Sequence, residues 1–453
     1  MRDGRGSRQM FGTRNAILAG QANSSVHGSI TPPLPCGGDV RPDHSGSKPG
    51  TSISVAVVPY ATRPMHDADS HIMEPADWLV PYLDEPTRAR FPKVWTDANE
   101  DTTPGDAVER ATALHHDPAY RADDEAQITL RKNFLATGSF LNEDRAGALE
   151  LLGFASQLVF DTFTSPHALR FDRDGDHELA VAIARAQHRA VLDWCATDPR
   201  LLPVTVVPVG DTSAAVALTR AAIEAGSAAI WIGQYPAGHS PSHVELEPMW
   251  AACAEAGVPV VLHVAGAGAN VMAPDFFDNG LPPVPDFHGG DTNFKSIDYL
   301  SIPLPVMQTL NALIIDGVLM RYPALRIGVI ELGATWVPGW MRSLDSAHEA
   351  FRKNETRLQE MDLRPSEYVQ RQVRVTPYPH EDTGWTIANA GAEVCMFSSD
   401  YPHVEGGRNP IARFERSMDA AGLDDAARER FYVENFVDLL GPVLDRRGVS
   451  IGA

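Results

Sequence analysis

Cysteine is scarce in this chain, and so is positive charge. The four cysteines, Cys36, Cys195, Cys253 and Cys395, lie far apart, and none belongs to a CxxC pair. That spacing excludes a disulfide framework and a thiolate zinc knuckle. It fits buried free thiols in a reducing compartment, so a cytoplasmic location is expected. Lysine and arginine number 38 against 59 aspartates and glutamates, a formal charge of −21. A nucleic-acid surface wants a basic patch, so no nucleic-acid partner is expected. No run approaches the roughly eighteen apolar residues of a membrane span, so no membrane partner is expected either. What is present is ordinary for a globular chain, with 43% hydrophobic and 21% charged residues. A length of 453 residues allows a large core.

Residues 1–64 stand apart. They are rich in glycine, serine, proline and asparagine, and their seven basic and three acidic residues make them net positive. Disorder is expected there, ahead of a folded region over 65–445. From residue 66 onward, short β-branched runs alternate with stretches that are apolar at helical spacing. Strands are predicted at a short run ending on Asp69-Ser70-His71 and at 155–160, 202–207, 228–232, 258–263, 326–331, 373–376 and 394–398. Helices are predicted at 176–197, 213–225 and 247–256. Strands alternating with helices imply parallel βαβ units, and eight of them imply a closed TIM-like (β/α)8 barrel of the α/β class. Two insertions interrupt it, at 79–154 and at 265–305. The second is a Gly/Pro-rich, lid-like stretch. Its Phe276, Phe277 and Phe287 hint at an apolar or aromatic ligand.

In such a barrel, the chemistry gathers at the C-terminal ends of the strands. Asp69 and His71 are two apart, so one strand can turn both toward one ion. His263 ends the fifth predicted strand after Val260, Val261 and Leu262. Asp400 directly follows the eighth, in Phe397-Ser398-Ser399-Asp400-Tyr401-Pro402-His403. Each has a plainer reading: a chance DxH, a hydrogen-bonded structural histidine, a turn or cap aspartate. Their joint placement at three strand ends is what points to a metal. Two histidines and two carboxylates suit one divalent ion, Zn²⁺ foremost, with Mn²⁺ and Fe²⁺ open.

These blocks resemble the amidohydrolase superfamily, within it the amidohydrolase-related branch that includes aminocarboxymuconate-semialdehyde decarboxylase and γ-resorcylate decarboxylase. The resemblance is carried by residues 67–75 (Asp67-Ala68-Asp69-Ser70-His71 onward), 259–266 around His263, 317–338 through Glu331, and 397–406. It spans about residue 66 to the Glu434-Asn435-Phe436 segment. It implies that Asp69, His71, His263 and Asp400 bind the metal and that Asp400 also moves protons. It implies, too, a small carboxylic-acid substrate and a homodimer. The chain has DxH where HxH is usual, and Glu331 where the branch's decarboxylases have a catalytic histidine. Glu331 is then either a second acid/base or a structural carboxylate holding the long loop. Glu74 either supports a liganding histidine from behind or is a plain helix-start acid, and His403 and Glu405 are placed to line the mouth. Lys295 and Arg408 are either substrate anchors or solvated surface charges. Trp336 and Trp340 are expected in the core or a subunit contact.

Three functions follow. The first is a metal-dependent carboxy-lyase acting on an aromatic or unsaturated acid, a choice that rests on the branch it resembles. The second is a metal-dependent hydrolase of an amide, ester, lactone or carbon–carbon bond at the same ligands. The third is a barrel that binds without catalysis.

Overall fold

The computed structural model describes residues 59–91, 104–264, 274–276, 278–282 and 296–450. Seven parallel strands follow one another in chain order: β1 (Asp67–Ile72), β2 (Gln157–Asp161), β3 (Leu201–Val206), β4 (Ala229–Trp231), β5 (Val260–His263), β6 (Ile327–Ile330) and β7 (Val373–Val375). Every residue in them is buried. That is why β2 to β6 read in sequence largely as apolar runs rather than as alternation, whereas β1 buries Asp67, Asp69, Ser70 and His71 and β7 buries Arg374.

The eighth predicted strand, 394–398, is a bridging segment rather than a regular strand. It nevertheless closes the barrel. Val375 N donates to Val394 O (2.8 Å) and Met396 N to Val375 O (3.0 Å) on one side. On the other, Ala68 N donates to Phe397 O (3.2 Å), Asp400 N to Asp69 O (2.9 Å) and His71 N to Tyr401 O (2.7 Å). The architecture is thus the expected TIM-like barrel. The irregularity at its seam falls where Asp400 must leave the ladder.

Helices cover the outside. His177–Cys195, Thr212–Glu224 and Glu247–Ala256 match the sequence periodicity closely. Asp211 starts the second of these by accepting from Ala214 N (3.0 Å), a plain N-cap. Cys195, Cys253 and Cys395 are buried free thiols, as their spacing suggests; Cys36 lies outside the described residues. Trp340 is buried and donates to Asn311 Oδ1 (2.7 Å), which places it in the packing behind β6. No helix among the described residues is long and apolar enough to cross a membrane.

The first insertion is bolted to the barrel mouth by one cation. Arg145, on the helix Asn142–Leu152, is fully buried. It donates to His71 O (3.1 Å), Gly138 O (3.2 Å) and Gln157 Oε1 (3.2 Å). Gly138 has φ +69, and a Cβ there would stand 2.7 Å from Arg145 Cα, so only glycine fits this crossing. Of the segment expected to be disordered, residues 1–58 lie outside the described residues. Residues 59–64 are tied down: Tyr60 N and Ala61 N donate to Leu151 O and Leu152 O (both 2.9 Å), and Arg63 reaches Glu429 (3.1 Å). The ordered part therefore begins a few residues before 65, because Tyr60 and Ala61 continue the packing of the insertion's helix.

Candidate metal centre

The chain brings Asp69, His71, His263, Glu331, Asp400 and His403 together at the C-terminal mouth of the barrel. Two overlapping groups, Asp69/His71/His263/Glu331 and His71/Glu331/Asp400/His403, each place one donor atom per residue within 4.8 Å of the others. All six residues are buried. Asp69 and His71 come from β1, which carries an extra residue against β2 between Asp67 and Ser70. Bulges of this kind re-aim side chains beside active sites. His263 is the last residue of β5, and Glu331 and Asp400 leave the ends of β6 and the closing segment. Both of these acids have left-handed backbones, φ 52 and φ 53. Non-glycine residues rarely adopt this conformation, and where they do it tends to mark a functional site.

The donor atoms face one another as ligands of a single cation would. His71 Nε2 lies 3.2 Å from Asp69 Oδ1 and 3.7 Å from Asp400 Oδ1. His263 Nε2 lies 3.3 Å from the same Asp69 oxygen and 3.5 Å from Glu331 Oε2. Ligands about 2.1 Å from a divalent ion sit roughly 3.0–3.4 Å from each other. His263 Nδ1 gives its hydrogen to Val264 O (2.6 Å), which fixes the ring with Nε2 facing the two carboxylates. Burial, with His403 and His263 alongside, holds His71 well below the ordinary imidazole range, despite the opposing charge of Asp400. A neutral ring is the form that binds metal. Asp69 Oδ2, His71 Nε2 and both Asp400 carboxylate oxygens are buried without a hydrogen-bond partner. Such atoms are costly unless an ion satisfies them. The residues fit one divalent ion. Oxygen and imidazole donors together suit Zn²⁺, Mn²⁺ and Fe²⁺ alike.

Behind the ligands stands Thr162, which the sequence did not single out although it directly follows β2. Its hydroxyl donates to Ile72 O (2.8 Å) and faces His403 Nε2 at 3.0 Å and His71 Nδ1 at 3.5 Å. His403 Nδ1 in turn lies 3.0 Å from Asp400 Oδ1. Glu74 sits one step further back. Its carboxylate accepts from the backbone N–H groups of Thr162 (2.8 Å), Phe163 (3.1 Å) and Thr164 (3.0 Å). The partner expected for it, a liganding histidine's ring, is faced by Thr162 instead, and Glu74 fixes the loop that carries Thr162. Lys132 was also missed. Asn133 N donates to Pro402 O (3.0 Å), which docks that segment over the mouth. Burial pushes the Lys132 ammonium down, against the pull of the Asp400 and Glu405 charges. Arg408 is exposed, as is Phe276; Lys295, Phe277 and Phe287 lie outside the described residues.

Glu74 makes a test of this arrangement. Burial, then the charge of Asp161, pushes its carboxyl up from 4.5 to about 8, against the pull of the backbone donors. The unfolded chain releases that proton near the lower value. Between the two, the folded form binds more protons, so stability falls as pH rises through the window. The melting temperature should therefore decline from pH 5 to pH 8, and Glu74→Gln should flatten that decline. Parallel slopes for the two proteins would rule Glu74 out as its source.

A family model described as Amidohydrolase matches residues 150–441, and the chain belongs to this family. The matched region holds His263, Glu331 and Asp400, whereas Asp69 and His71 precede it. No curated protein matches the chain. Among solved structures, the fold is similar to an amidohydrolase from Mycobacterium avium subsp. paratuberculosis, at 20% identity and a TM-score of 0.64, covering 84% of this chain and 100% of that one. It is also similar to 5-carboxyvanillate decarboxylase from Sphingomonas paucimobilis, at 15% identity and a TM-score of 0.53, covering 84% and 99%. A third is the 5-carboxyvanillate decarboxylase of Novosphingobium aromaticivorans, bound to manganese and 3-methoxy-4-hydroxy-5-nitrobenzoic acid, at 18% identity and a TM-score of 0.54, covering 84% and 97%. At these identities the likeness is one of fold. The family and the buried donor cluster make the protein an amidohydrolase-family enzyme with a candidate site for one divalent ion.

Proposed function

We propose that the protein is a carboxy-lyase that removes carbon dioxide from an aromatic or unsaturated carboxylic acid. Asp69, His71, His263 and Asp400 would hold one divalent ion, Zn²⁺ or Mn²⁺. The carrying observation is the set of buried donor atoms on Asp69, His71 and Asp400 at the barrel mouth that make no hydrogen bond. Two structures of similar fold, both decarboxylases of an aromatic acid, support the choice of reaction. The bound ion would supply Lewis-acid polarisation of a substrate oxygen.

The protein's own residues handle the proton. Asp400 would relay a proton, taken up from His403, to the carbon that bears the carboxylate. The bond from that carbon to the carboxylate then breaks, carbon dioxide leaves, and the electron pair returns to the ring or double bond. His403, with Nδ1 3.0 Å from Asp400 Oδ1, is placed to resupply the proton. Thr162 holds the far side of that ring. In the hydrolytic alternative, Asp400 instead takes a proton from water at the same place. Incubation with a panel of hydroxylated benzoic and unsaturated acids, with carbon dioxide measured, separates the two. Release of carbon dioxide with loss of the acid is the expected result. Turnover of amides, esters or lactones without it would replace the carboxy-lyase by the hydrolase.

A further inference from the structure

We propose that Glu331 is a fifth protein ligand of the same ion, so that the centre is built from three carboxylates and two imidazoles. This rests on the metal-centre reading above and goes beyond its four ligands.

Three observations carry it. The first is reach. Glu331 belongs to both donor groups at the mouth, and its Oε2 lies 3.5 Å from His263 Nε2. The second is the backbone. Glu331 follows β6 directly and is held at φ 52, a conformation its side chain disfavours. Two side chains at the end of β7 keep it there: Glu331 N donates to Thr376 Oγ1 (2.9 Å), and Tyr378 Oη donates to Glu331 O (2.7 Å). The fold thus fixes both sides of one strained residue, and its carboxylate points into the cluster.

The third observation is that the structural task open to Glu331 is already filled. Glu381 anchors the loop after β6. It accepts from Ala334 N (2.9 Å), Thr335 N (3.3 Å), Thr335 Oγ1 (2.8 Å) and Tyr378 N (2.9 Å). Glu331 Oε2, by contrast, faces the donor atoms of the cluster. A third carboxylate makes the centre rich in hard oxygen donors and net negative around a divalent ion. Such a set shifts preference from Zn²⁺ toward Mn²⁺.

Equilibrium dialysis of the full chain against Mn²⁺ or Zn²⁺ tests this, with His71→Ala, Glu331→Gln and Tyr378→Phe alongside. The wild type should bind one equivalent, and His71→Ala should lose it. Glu331→Gln should weaken Mn²⁺ binding at least ten-fold and Zn²⁺ binding less, so that the metal preference changes. A folded Glu331→Gln that binds Mn²⁺ as tightly as the wild type overturns the proposal while leaving the four-ligand centre standing. A wild type that takes up neither metal overturns both. If Glu331→Gln does not fold, Tyr378→Phe decides. It keeps the carboxylate but releases the Glu331 carbonyl, and should weaken Mn²⁺ binding several-fold. Unchanged Mn²⁺ binding in that variant counts against ligation by Glu331.

Discussion

Asp400→Asn is expected to lower kcat by about 10²–10⁴-fold, the range a positioned proton carrier contributes, with little change in the fold. The substitution is nearly isosteric. The backbone at 400 sits at φ 53, a conformation that asparagine tolerates at least as well as aspartate. Its anchors, Asp400 N to Asp69 O (2.9 Å) and His403 N to Asp400 O (2.8 Å), are backbone bonds that the variant keeps. What is lost is the carboxylate itself. An amide carries no exchangeable acid proton and offers one neutral oxygen in place of a charged pair. Metal affinity should fall as well, so kcat must be measured at saturating metal to isolate the proton step. A circular dichroism spectrum matching the wild type, with turnover reduced a hundred-fold or more, is the expected pair of results. Turnover within a few-fold of wild type under those conditions would remove Asp400 from proton transfer and leave it only as a ligand.

The barrel is legible because its strands are buried on both faces, so hydrophobic runs alone locate β2 to β6 closely, while β1 and β7 carry too many polar residues to be found that way. The segment after residue 394 was read as a strand because Val394 to Phe397 are apolar. Sequence carries no sign that it bridges its neighbours without extending into a regular strand. The candidate ligands could be read because His263 ends β5, Asp400 follows the closing segment, and Asp69 and His71 share β1 two residues apart. Thr162 also ends a strand, and it escaped notice because a threonine carries no ligand signal by itself. Lys132 and Arg145 escaped for another reason. Both lie in the 79–154 insertion, and contacts such as Arg145 to His71 O and Asn133 to Pro402 O join positions far apart in the chain. Glu74 illustrates the limit from the other side. Its place three residues after His71 invited a direct contact, but its carboxylate crosses to the loop after β2.

Asp67→Ala is expected to cost about 3–5 kcal/mol of stability, from four stranded donors at roughly 1–3 kcal/mol each with partial relaxation, and to weaken metal binding about 10–100-fold. Asp67 is fully buried and lies at the hub of a polar chain beneath the ligands. It accepts from Ser399 N (2.7 Å), Ser399 Oγ (2.6 Å), Gln157 Nε2 (2.8 Å) and Asp69 N (3.3 Å). Gln157 Oε1 then takes Arg145 Nε (3.2 Å), and Ser399 Oγ takes Tyr401 N (3.1 Å). Burial pushes the Asp67 carboxyl up to about 7, and the Ser399 and Gln157 bonds restrain it. This chain spans the seam of the barrel, where β1 meets the irregular closing segment. It therefore sets the distance between Asp69 and His71 on one side and Asp400 on the other. It does so beside three backbone bonds across the same seam, Ala68 N to Phe397 O, Asp400 N to Asp69 O and His71 N to Tyr401 O. Asp67→Asn keeps the shape and one acceptor oxygen, so it should stay folded and show an intermediate loss of metal affinity. Urea unfolding and metal dialysis on both variants separate the two consequences. A drop in stability with metal affinity unchanged would make Asp67 a brace of the fold alone. A drop in both, graded from asparagine to alanine, would mean that the seam sets the geometry of the metal centre.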